Sequence, residues 1–319
     1  MAFPNVSDIL ATTIESRTRK IQDNVTKNNM ILARLGSKGK IKTFAGGHKI
    51  YQELSFAENP NAGWYSGYDF LPVGAGDVIS AAEYAIKQAA VPVVISGLEE
   101  LQNASKEAMI DLMESRLNVG EATMKNLISV GLYSDGTASG GKQIGGMDVA
   151  VPVTNTNTYG GISRTTWTFW KNQVTDTTGI VAATIQGSWN ALWAKCVRGA
   201  DAPDLIMVDS LTWAIYMASL QTLQRFDSPN VGALGFPSLK YMTADVVLDG
   251  GIGGAATANT AYMLNTNYIY LRPHASRNMV SLSPNRRYAT NQDAEVQILA
   301  WAGNLTVSGS QFQARWDNN

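Results

Sequence analysis

The chain has 319 residues and a formal net charge of −1, and 45% of its residues are hydrophobic while 16% are charged. A chain of this length exceeds the usual size of one hydrophobic core, so we expect two subdomains. The low charged fraction indicates a surface that is largely covered by partners. The near-neutral charge argues against tight nucleic-acid binding, although a container that encloses DNA without gripping it would have the same balance.

Cysteine usage and hydropathy exclude several other classes. Cys196 is the only cysteine, which excludes an intrachain disulfide, and we expect it to be a small core residue on an apolar helix face. Residues 1–10 have neither the basic nor the apolar region of a signal peptide. No apolar run approaches the roughly 20 residues of a membrane span, so we expect the cytosol of the producing cell.

Residues 1–35 are polar, and their apolar positions are loosely spaced like short amphipathic helices. We interpret this segment as an arm that lies on a neighbouring copy of the chain. Its basic residues Arg17, Arg19 and Lys20 are candidate contacts. The alternative is a disordered terminal tail.

Residues 36–75 alternate between apolar and polar side chains, and turn signals stand at Gly46-Gly47 and at 59–63. The pattern predicts a twisted, extended hairpin from Lys38 to Pro72. One leg is basic, with Lys38, Lys40, Lys42 and Lys49, and the other contains Trp64 and Tyr65. Exposed strand edges are unfavourable in a monomer, so the hairpin indicates assembly with other copies. An ordinary sheet of a core domain is the alternative.

Residues 98–130 carry an apolar stripe at three- and four-residue spacing, which predicts one long helix of roughly 50 Å. Ser96 and Glu99 match a capping box at its start. Gly120 is a possible kink, and Gly131 is expected to end the helix. Upstream, 77–91 is an Ala-rich stretch of mixed character, and 92–95 is expected to be a short strand.

Residues 150–265 alternate between strand-like and helix-like segments, which predicts a compact α/β subdomain. Helices are expected at 165–174, at 180–197, and from a cap at Ser210 to about 226. Strands are expected at 204–208 and 239–248, followed by a Gly/Ala loop at 249–259.

Residues 260–319 are β-rich, and we expect their strands to pair with the segment that carries the long helix. The predicted strands are 261–264, 268–271, 294–301, 305–307 and 312–316, with a tight turn at Gly303-Asn304. Four arginines fall in a stretch read as loop-rich, where they could equally face phosphates, pair with carboxylates across a subunit contact, or be solvated. These residues are Arg272, Arg277, Arg286 and Arg287.

Motifs that resemble catalytic or cofactor sites are incomplete. The segment 136–143 nearly matches a phosphate-binding loop, but Gln143 stands where Ser or Thr should ligate Mg²⁺ and a helix precedes it. The glycine run at 251–256 is followed by a strand instead of the helix that a dinucleotide site needs. His48 and His274 are too few and too far apart for a zinc site. We therefore expect no catalytic, cofactor or metal site, and no enzymatic activity.

The order of segments, and several short stretches within them, resemble the HK97-like major capsid proteins of tailed bacteriophages, in particular a common prophage capsid group. The stretches are Leu132-Tyr133-Ser134-Asp135-Gly136, Lys142-Gln143-Ile144-Gly145-Gly146, Tyr159-Gly160-Gly161-Ile162, Pro203-Asp204-Leu205-Ile206 and Trp301-Ala302-Gly303-Asn304-Leu305. The resemblance covers essentially the whole chain. It implies an α+β capsid fold with an N-terminal arm (1–35), an E-loop hairpin (36–75), a peripheral domain with its spine helix (76–150), an axial domain (151–264) and returning peripheral strands (265–319).

The resemblance implies a structural role in which hexamers and pentamers form an icosahedral shell around double-stranded DNA. Some family members carry a scaffolding segment ahead of the arm, whereas here the arm begins almost at Met1, so a separate scaffolding protein is expected. A portal protein and a possible decoration protein are further implied partners; no cofactor and no membrane are. The expected location is the virion capsid, assembled in the host bacterial cytoplasm. Candidate inter-subunit contacts are Arg17, Arg19, Lys20, Lys38, Lys40, Lys42, Lys49, Trp64, Tyr65, Arg286 and Arg287.

Three alternatives remain open at this point. One is an encapsulin-like nanocompartment shell that holds enzyme cargo, which the sequence separates poorly from a capsid. Another is a nucleotide-dependent enzyme built on the α/β region, against which the incomplete glycine motifs count. The third is a non-enzymatic binding protein, which the low surface charge permits.

Overall fold

The computed structural model describes residues 30–102, 106–220, 238–249, 255–282 and 293–318. The helices within these ranges are α1 (Met30–Ser37), α2 (Gly97–Gln102), α3 (Lys106–Tyr133), α4 (Ala138–Gly141), α5 (Met147–Ala150), α6 (Ile185–Cys196) and α7 (Ser210–Leu220). The strands are β1 (Lys49–Ser55), β2 (Ile79–Ala85), β3 (Lys87–Ser96), β4 (Thr158–Tyr159), β5 (Ile162–Ser163), β6 (Gln173–Thr177), β7 (Leu205–Val208), β8 (Ser238–Tyr241), β9 (Ala244–Leu248), β10 (Thr260–Leu264), β11 (Ile269–Ser281), β12 (Ala294–Val307) and β13 (Ala314–Asn318).

A three-stranded antiparallel sheet, in the order β11-β12-β3, packs against the long helix α3. One face of β3 buries Val91, Val93 and Ile95, and α3 contributes Met124 and Ile128 to the same core. The prediction that the returning strands pair with the segment carrying the long helix is confirmed for β12, because β12 pairs with β3 over its first ten residues.

The long helix is largely confirmed, and the prediction about its end is wrong. The described helix runs as α2 and then as α3, and α3 continues through Gly120 and Gly131 to Tyr133. Gly131 serves close packing instead of termination: a Cβ at this position would lie 2.6 Å from Cγ1 of Ile144. The capping box is confirmed, since the Ser96 amide donates to Glu99 Oε2 (3.1 Å) and the Glu99 amide donates to Ser96 Oγ (3.4 Å).

The predicted turn at Gly303-Asn304 is wrong, because both residues lie inside the continuous strand β12. A Cβ at Gly303 would lie 2.5 Å from the carbonyl oxygen of Arg272 on β11, so the glycine allows the strands to approach closely. The Asn304 side chain donates to the Ala85 carbonyl oxygen (2.8 Å). A glycine-asparagine pair, which resembles a turn in sequence, here serves sheet packing.

A six-stranded sheet forms the second part of the molecule, in the order β6-β13-β10-β7-β9-β8. The buried strand predicted at 204–208 is confirmed as β7, whose four residues are all buried. The segment 239–248 forms two strands, β8 and β9, with Met242 at positive φ in the turn between them. The last strand, β13, joins this sheet between β6 and β10 instead of the three-stranded sheet.

The helix predictions in this region are mixed. Residues 165–174 are not an α-helix; they contain a 3-10 turn at Thr168–Trp170 and the start of β6. The helix predicted at 180–197 is shorter and runs as α6, where Cys196 is buried as expected and burial raises the pKa of its thiol to about 12. The cap of α7 is Asp209 instead of Ser210, because its carboxylate accepts from the amides of Leu211 and Thr212 at 3.1 Å. The predicted continuation of α7 to about 226 lies outside the described residues.

Arg164 joins the two parts of the chain from a fully buried position. Its guanidinium donates to the carbonyl oxygens of Trp170 (3.0 Å), Val149 (3.2 Å) and Ala150 (2.5 Å), and to Ser310 Oγ (3.1 Å). Burial lowers the pKa of Arg164 to about 10, still far above neutrality, so the cation is retained. Among the described residues, no helix is both long and apolar enough to cross a membrane.

Candidate assembly interface

The predicted hairpin exists, but its second strand is not where the sequence pattern placed it. β1 pairs antiparallel with β2 from Lys49↔Ala85 to Ser55↔Ile79. The second leg therefore lies beyond residue 75, and the aromatic run 64–70 belongs to the connecting loop. We call residues 49–85 the hairpin arm.

The base of the hairpin arm is firmly attached to the three-stranded sheet. The Tyr84 hydroxyl donates to the Val307 carbonyl oxygen (3.0 Å), and Arg272 Nη2 donates to Gln52 Oε1 (2.9 Å). The inward side chains of β1 and β2, including Ile50 and Leu54, are buried in the core. The position of the arm is thus fixed where it leaves the molecule.

An aromatic cluster supports the point where the loop begins. Phe56 stacks on Phe169 with ring centroids 5.4 Å apart and meets Trp167 edge-on at 5.5 Å. Together with Ile162 and Ser80, these rings line a small, partly open pocket. The backbone amide of Phe56 also donates to the Val78 carbonyl oxygen (3.1 Å), which extends the ladder by one pair beyond the strands.

The loop beyond Phe56 is organised by its own hydrogen bonds. Asn61 Nδ2 donates to the Gly74 carbonyl oxygen (2.6 Å) across the loop. The Asp69 carboxylate accepts from the Ser66 amide (2.7 Å), and the Asp69 amide donates back to the Ser66 carbonyl oxygen (2.9 Å), which closes a turn. The loop therefore holds a shape although it has little contact with the rest of the chain.

Large apolar side chains of this loop face solvent. Trp64, Tyr68 and Phe70 are essentially fully exposed, and Tyr65, Leu71 and Val73 are more than half exposed. Isolated exposed apolar residues are normal on protein surfaces, but six within ten residues of one projecting loop form a patch of the kind that marks an interaction site.

The hairpin arm is acidic, which contradicts the predicted basic leg. From residue 50 to residue 86 the chain has no Lys or Arg and five carboxylates: Glu53, Glu58, Asp69, Asp77 and Glu83. Only Lys49, at the first position of β1, remains of the basic leg, and it pairs with Glu83 at 2.5 Å. Lys38, Lys40 and Lys42 precede the hairpin and belong to a different surface.

Residues 40–44 run alongside β11 and add a short parallel edge to the three-stranded sheet. The Lys42 amide donates to the Leu271 carbonyl oxygen (3.0 Å), and the Leu271 amide donates to the Lys40 carbonyl oxygen (3.2 Å). Since side chains alternate along extended backbone, Ile41 packs against the core while Lys40 and Lys42 share the outward face.

Three cations surround one ring on this outward face. Lys40 Nζ lies 4.9 Å from the centroid of the Tyr270 ring, Lys42 Nζ lies 5.5 Å from it, and the Arg272 guanidinium carbon lies 5.6 Å from it. Within the described residues none of the three forms an ion pair, and Arg272 Nε is buried without a hydrogen-bond partner. We call Lys40, Lys42 and Arg272 around Tyr270 the cationic face.

The remaining predicted contact residues fall in different places. Lys38 pairs with Asp204 (2.9 Å) and donates to Asn267 Oδ1 (3.1 Å), both within its own chain. Trp64 and Tyr65 are exposed on the loop, as described above. Arg17, Arg19, Lys20, Arg286 and Arg287 lie outside the described residues, and their role in subunit contacts stays a prediction.

Sequence reasoning missed two features of this region. It grouped Arg272 with a loop, although Arg272 lies on β11 against Tyr270. It also overlooked the absence of basic residues from 50 to 86, a signal that can be read directly from the sequence. Among the described residues there is no cluster of three or more potential metal ligands.

Comparison with solved structures finds capsid chains that match this fold over nearly its whole length. The capsid asymmetric unit of cyanophage A-1(L) matches with a TM-score of 0.62 and 14% identity over 90% of this chain and 92% of that chain. The capsid of an empty GTA particle matches with a TM-score of 0.56 and 9% identity over 88% of each chain. A structure from Mycobacterium phage Bobi matches with a TM-score of 0.51 and 10% identity, covering 88% and 89%.

Comparisons with protein-family models and with curated proteins find no match. At the identities of the structural matches, sequence similarity carries little information, and it is the shared arrangement of helices and strands that is informative. The predicted α+β, HK97-like capsid fold is confirmed by these matches.

Proposed function

We propose that this chain is the major capsid protein of a bacteriophage-type particle, and that copies of it assemble as hexamers and pentamers into an icosahedral shell around double-stranded DNA. The observation that carries the proposal is the whole-chain match, since 90% of this chain superimposes on 92% of a cyanophage capsid chain. The role of this chain is structural, and its location is the virion capsid after assembly in the host cytoplasm.

The exposed hairpin arm supports self-assembly independently of the comparisons. A rigidly attached arm that presents fully exposed Trp64, Tyr68 and Phe70 loses apolar contact with water only when another molecule covers it. In a closed shell each such contact repeats many times, so modest energies per contact add up. The near-zero net charge limits repulsion between the many copies.

The parts of the capsid fold are assigned as predicted, with three adjustments that burial and strand pairing support. The N-arm predicted at 1–35 is narrowed to 1–29, which lie outside the described residues, because Met30, Ile31 and Leu35 of α1 are buried in the chain's own core. Residues 76–150, with the spine helix α3, begin the peripheral domain. The E-loop extends beyond 75 to the end of β2. The axial domain, 151–264, also includes β13 from the returning segment 265–319, because β13 pairs with β6 and β10.

Neither the encapsulin-like compartment nor the nucleotide-dependent enzyme gains support from the comparisons, since the matched structures reported above are of phage and GTA particles. A portal protein, a separate scaffolding protein, a decoration protein and packaged DNA are partners that the family resemblance implies. They are part of the proposal.

Negative-stain electron microscopy of the chain, expressed alone and together with its genomic neighbours, tests the proposal directly. We expect closed icosahedral shells, tubes or hexamer sheets, and dependence on a neighbour would identify the scaffolding protein. A chain that stays monomeric under both conditions would overturn the proposal. Enzyme cargo inside the shells would favour the nanocompartment instead.

A further inference from the structure

We propose that residues 157–170, which we call the bracket, set the direction in which the hairpin arm leaves the molecule, and that Arg164 is the positioning residue that fixes the bracket to the core. The inference rests on the proposed shell function for the purpose of the arm, because a closed shell needs every copy to present its arm in nearly the same direction. The bracket itself is argued from contacts within one chain.

The three-stranded sheet supports the arm at the end nearest the core. Gln52 Oε1 accepts from Arg272 Nη2 (2.9 Å), and the Tyr84 hydroxyl donates to the Val307 carbonyl oxygen (3.0 Å). Gln52 and Tyr84 both belong to the first four of the seven residue pairs in the β1–β2 ladder. Contacts at this level alone would allow the arm to pivot about its base, as a hinged element does.

The bracket contacts β2 through the tight turn between β4 and β5. This turn is Gly160-Gly161, whose φ values of 57° and 76° are typical of a type I′ turn. The Gly160 carbonyl oxygen accepts from the Glu83 amide (2.9 Å). A Cβ at Gly160 would lie 2.9 Å from Cβ of Ala82, so the turn lies directly against the inward side of β2.

The bracket also supports the arm further out, just beyond the end of β1. Phe56 stacks on Phe169 and meets Trp167 edge-on, and both of these rings belong to the bracket. Gln52 and Phe56 are four residues apart along extended backbone, which separates the inner and outer supports by about 13 Å. An arm that is held at two separated levels has one direction, whereas an arm held at one level does not.

Arg164 connects the bracket to the rest of the chain. Its guanidinium is fully buried and makes five hydrogen bonds, one for each of its N–H groups. The acceptors are the carbonyl oxygens of Trp170 (3.0 Å), Val149 (3.2 Å) and Ala150 (2.5 Å), Asn157 Oδ1 (2.8 Å) and Ser310 Oγ (3.1 Å). Two of these acceptors lie at the ends of the bracket, two lie at the end of α5, and one lies in the 3-10 turn that leads to β13. The planar guanidinium therefore holds the bracket in shape and joins it to both parts of the molecule.

Tyr159 links Arg164 to the arm. The guanidinium carbon of Arg164 lies 5.0 Å from the centroid of the Tyr159 ring, and this ring meets Tyr84 of β2 edge-on at 5.3 Å. Trp170 Nε1 donates to the Tyr159 carbonyl oxygen (2.8 Å). All three aromatic residues are buried, so close packing makes the bracket and the arm move together. Arg164 acts on the arm through these rings, which makes it a positioning residue.

Distances between two nitroxide spin labels in the dissociated chain test the inference. One label is attached at Ser55→Cys, at the exposed outer end of β1, and the other at Asn126→Cys, on the exposed side of α3. Cys196 is buried, so it should not react with the label. We expect Arg164→Met to widen the distance distribution roughly twofold, because the arm then pivots on its inner support. Arg164→Lys should give an intermediate width, since an ammonium group has fewer donors than a guanidinium.

A second variant and two matched controls separate positioning from general stability. Trp167→Ala removes an outer support that is about half exposed, so it should widen the distribution without threatening the fold. Leu192→Ala is the control for Arg164→Met, because Leu192 is fully buried on α6 and its loss lowers the denaturant midpoint without touching the bracket. Leu211→Ala is the control for Trp167→Ala, because Leu211 is about half exposed on α7. Both controls should keep the width of the unmodified chain.

A distribution that stays narrow in both Arg164→Met and Trp167→Ala would overturn the inference. Equal widening in Leu192→Ala would also overturn it, because a general loss of stability would then explain the effect. Neither outcome depends on assembly, so the proposed shell function would stand.

Shell yield tests whether the direction of the arm matters for assembly. Under conditions in which the unmodified chain forms shells, Trp167→Ala should lower the yield of closed shells seen by electron microscopy, and Leu211→Ala should not. Equal yields would show that assembly does not depend on the bracket and would overturn its role there. Failure of the unmodified chain to form shells would overturn the proposed function, while the label distances would still decide whether the bracket positions the arm.

Discussion

The six-stranded sheet and the hairpin arm differ in the burial of their large aromatic residues. In the sheet region, Trp189 is fully buried and contacts Tyr216, Tyr241 and Trp316 at centroid distances of 4.8, 5.3 and 6.2 Å. On the arm, Trp64 contacts solvent on all sides. The contrast shows that the aromatic residues of one region are stabilised within the chain, whereas those of the arm contribute no buried area within it, as the proposed assembly would require.

The largest expected effect on stability comes from replacing Trp189, whereas replacing Trp64 should have almost none. Trp189→Ala should lower the free energy of unfolding of the dissociated chain by about 3–5 kcal/mol, because it removes a large buried side chain and leaves a cavity. Trp64→Ala should leave that free energy unchanged within about 0.5 kcal/mol and weaken the shell instead. Denaturant titration of the dissociated chain and heating of assembled shells measure the two effects. A large loss of chain stability from Trp64→Ala would break the comparison.

Replacing the buried Arg164, which joins the two parts of the chain, should lower the free energy of unfolding by nearly as much. Arg164→Met retains side-chain volume but leaves several buried carbonyl oxygens without a donor, and each such loss costs about 1–3 kcal/mol. We expect a loss of about 3 kcal/mol or more in the free energy of unfolding. Arg277→Met is the control, since Arg277 is exposed and makes one hydrogen bond of 3.3 Å to Gln88.

An ion-pair network between α1 and the six-stranded sheet should give an effect of intermediate size that depends on pH. Burial raises the pKa of Asp204, but hydrogen bonds from Thr266 and the partner Lys38 outweigh it, so the pKa lies below its usual value. Asp204 also pairs with Arg34 at 3.0 Å. A depressed pKa in the folded chain means that the stabilisation is present above the unfolded-state pKa and is lost as the pH falls through the folded-state pKa.

Asp204→Asn should therefore cost about 1.5–3 kcal/mol near neutral pH, the usual value of hydrogen bonds to a charged group. The difference from the unmodified chain should begin to shrink as the pH falls below the unfolded-state pKa of about 4, and it should be lost as the pH passes through the lower folded-state pKa, where the carboxylate of the folded chain is protonated too. Glu53→Gln, on the exposed side of β1, is the control and should change the free energy of unfolding by less than about 0.5 kcal/mol. An Asp204→Asn deficit that persists unchanged at pH 2 would contradict the assignment.

The smallest expected effect concerns the capping box at the start of α2. Ser96→Ala removes the oxygen that accepts from the Glu99 amide and should lower the free energy of unfolding by about 1 kcal/mol. Ser96→Thr retains the hydroxyl, so its free energy of unfolding should lie between those of the unmodified chain and the Ser96→Ala variant. An Ala variant as stable as the unmodified chain would show that Arg116, which pairs with Glu99, is sufficient to hold this end.

Local chemistry explains which parts of the fold the sequence predicted. The capping box and the buried strand at 205–208 depend on neighbours within a few residues, so they could be read from the chain. Gly303 and Gly131 were misread, because each glycine serves contact with a distant element that only the folded chain brings near.

The candidate interface was predicted in kind but not in detail. The extended hairpin and its exposed aromatics follow from sequence pattern and turn residues, whereas the second strand was misplaced, because the Ala-rich segment 79–85 gives a weak strand signal. The cationic face could not be predicted, since it depends on residues 40–44 pairing with β11 far along the chain. The acidic character of the arm could have been found by counting charges.

The order of strands has a consequence for synthesis on the ribosome. β12 is the central strand of one sheet, and β13 separates β6 from β10 in the other. Residues 294–318 are translated after every other described element, so neither sheet can close while they are unmade. The partners of the hairpin base, Val307 and Asn304, arrive with them. A growing or prematurely terminated polypeptide thus lacks a fixed arm. In the shell proposed above, such a polypeptide could not present the arm to other copies, so the order of strands would act as a check on chain length.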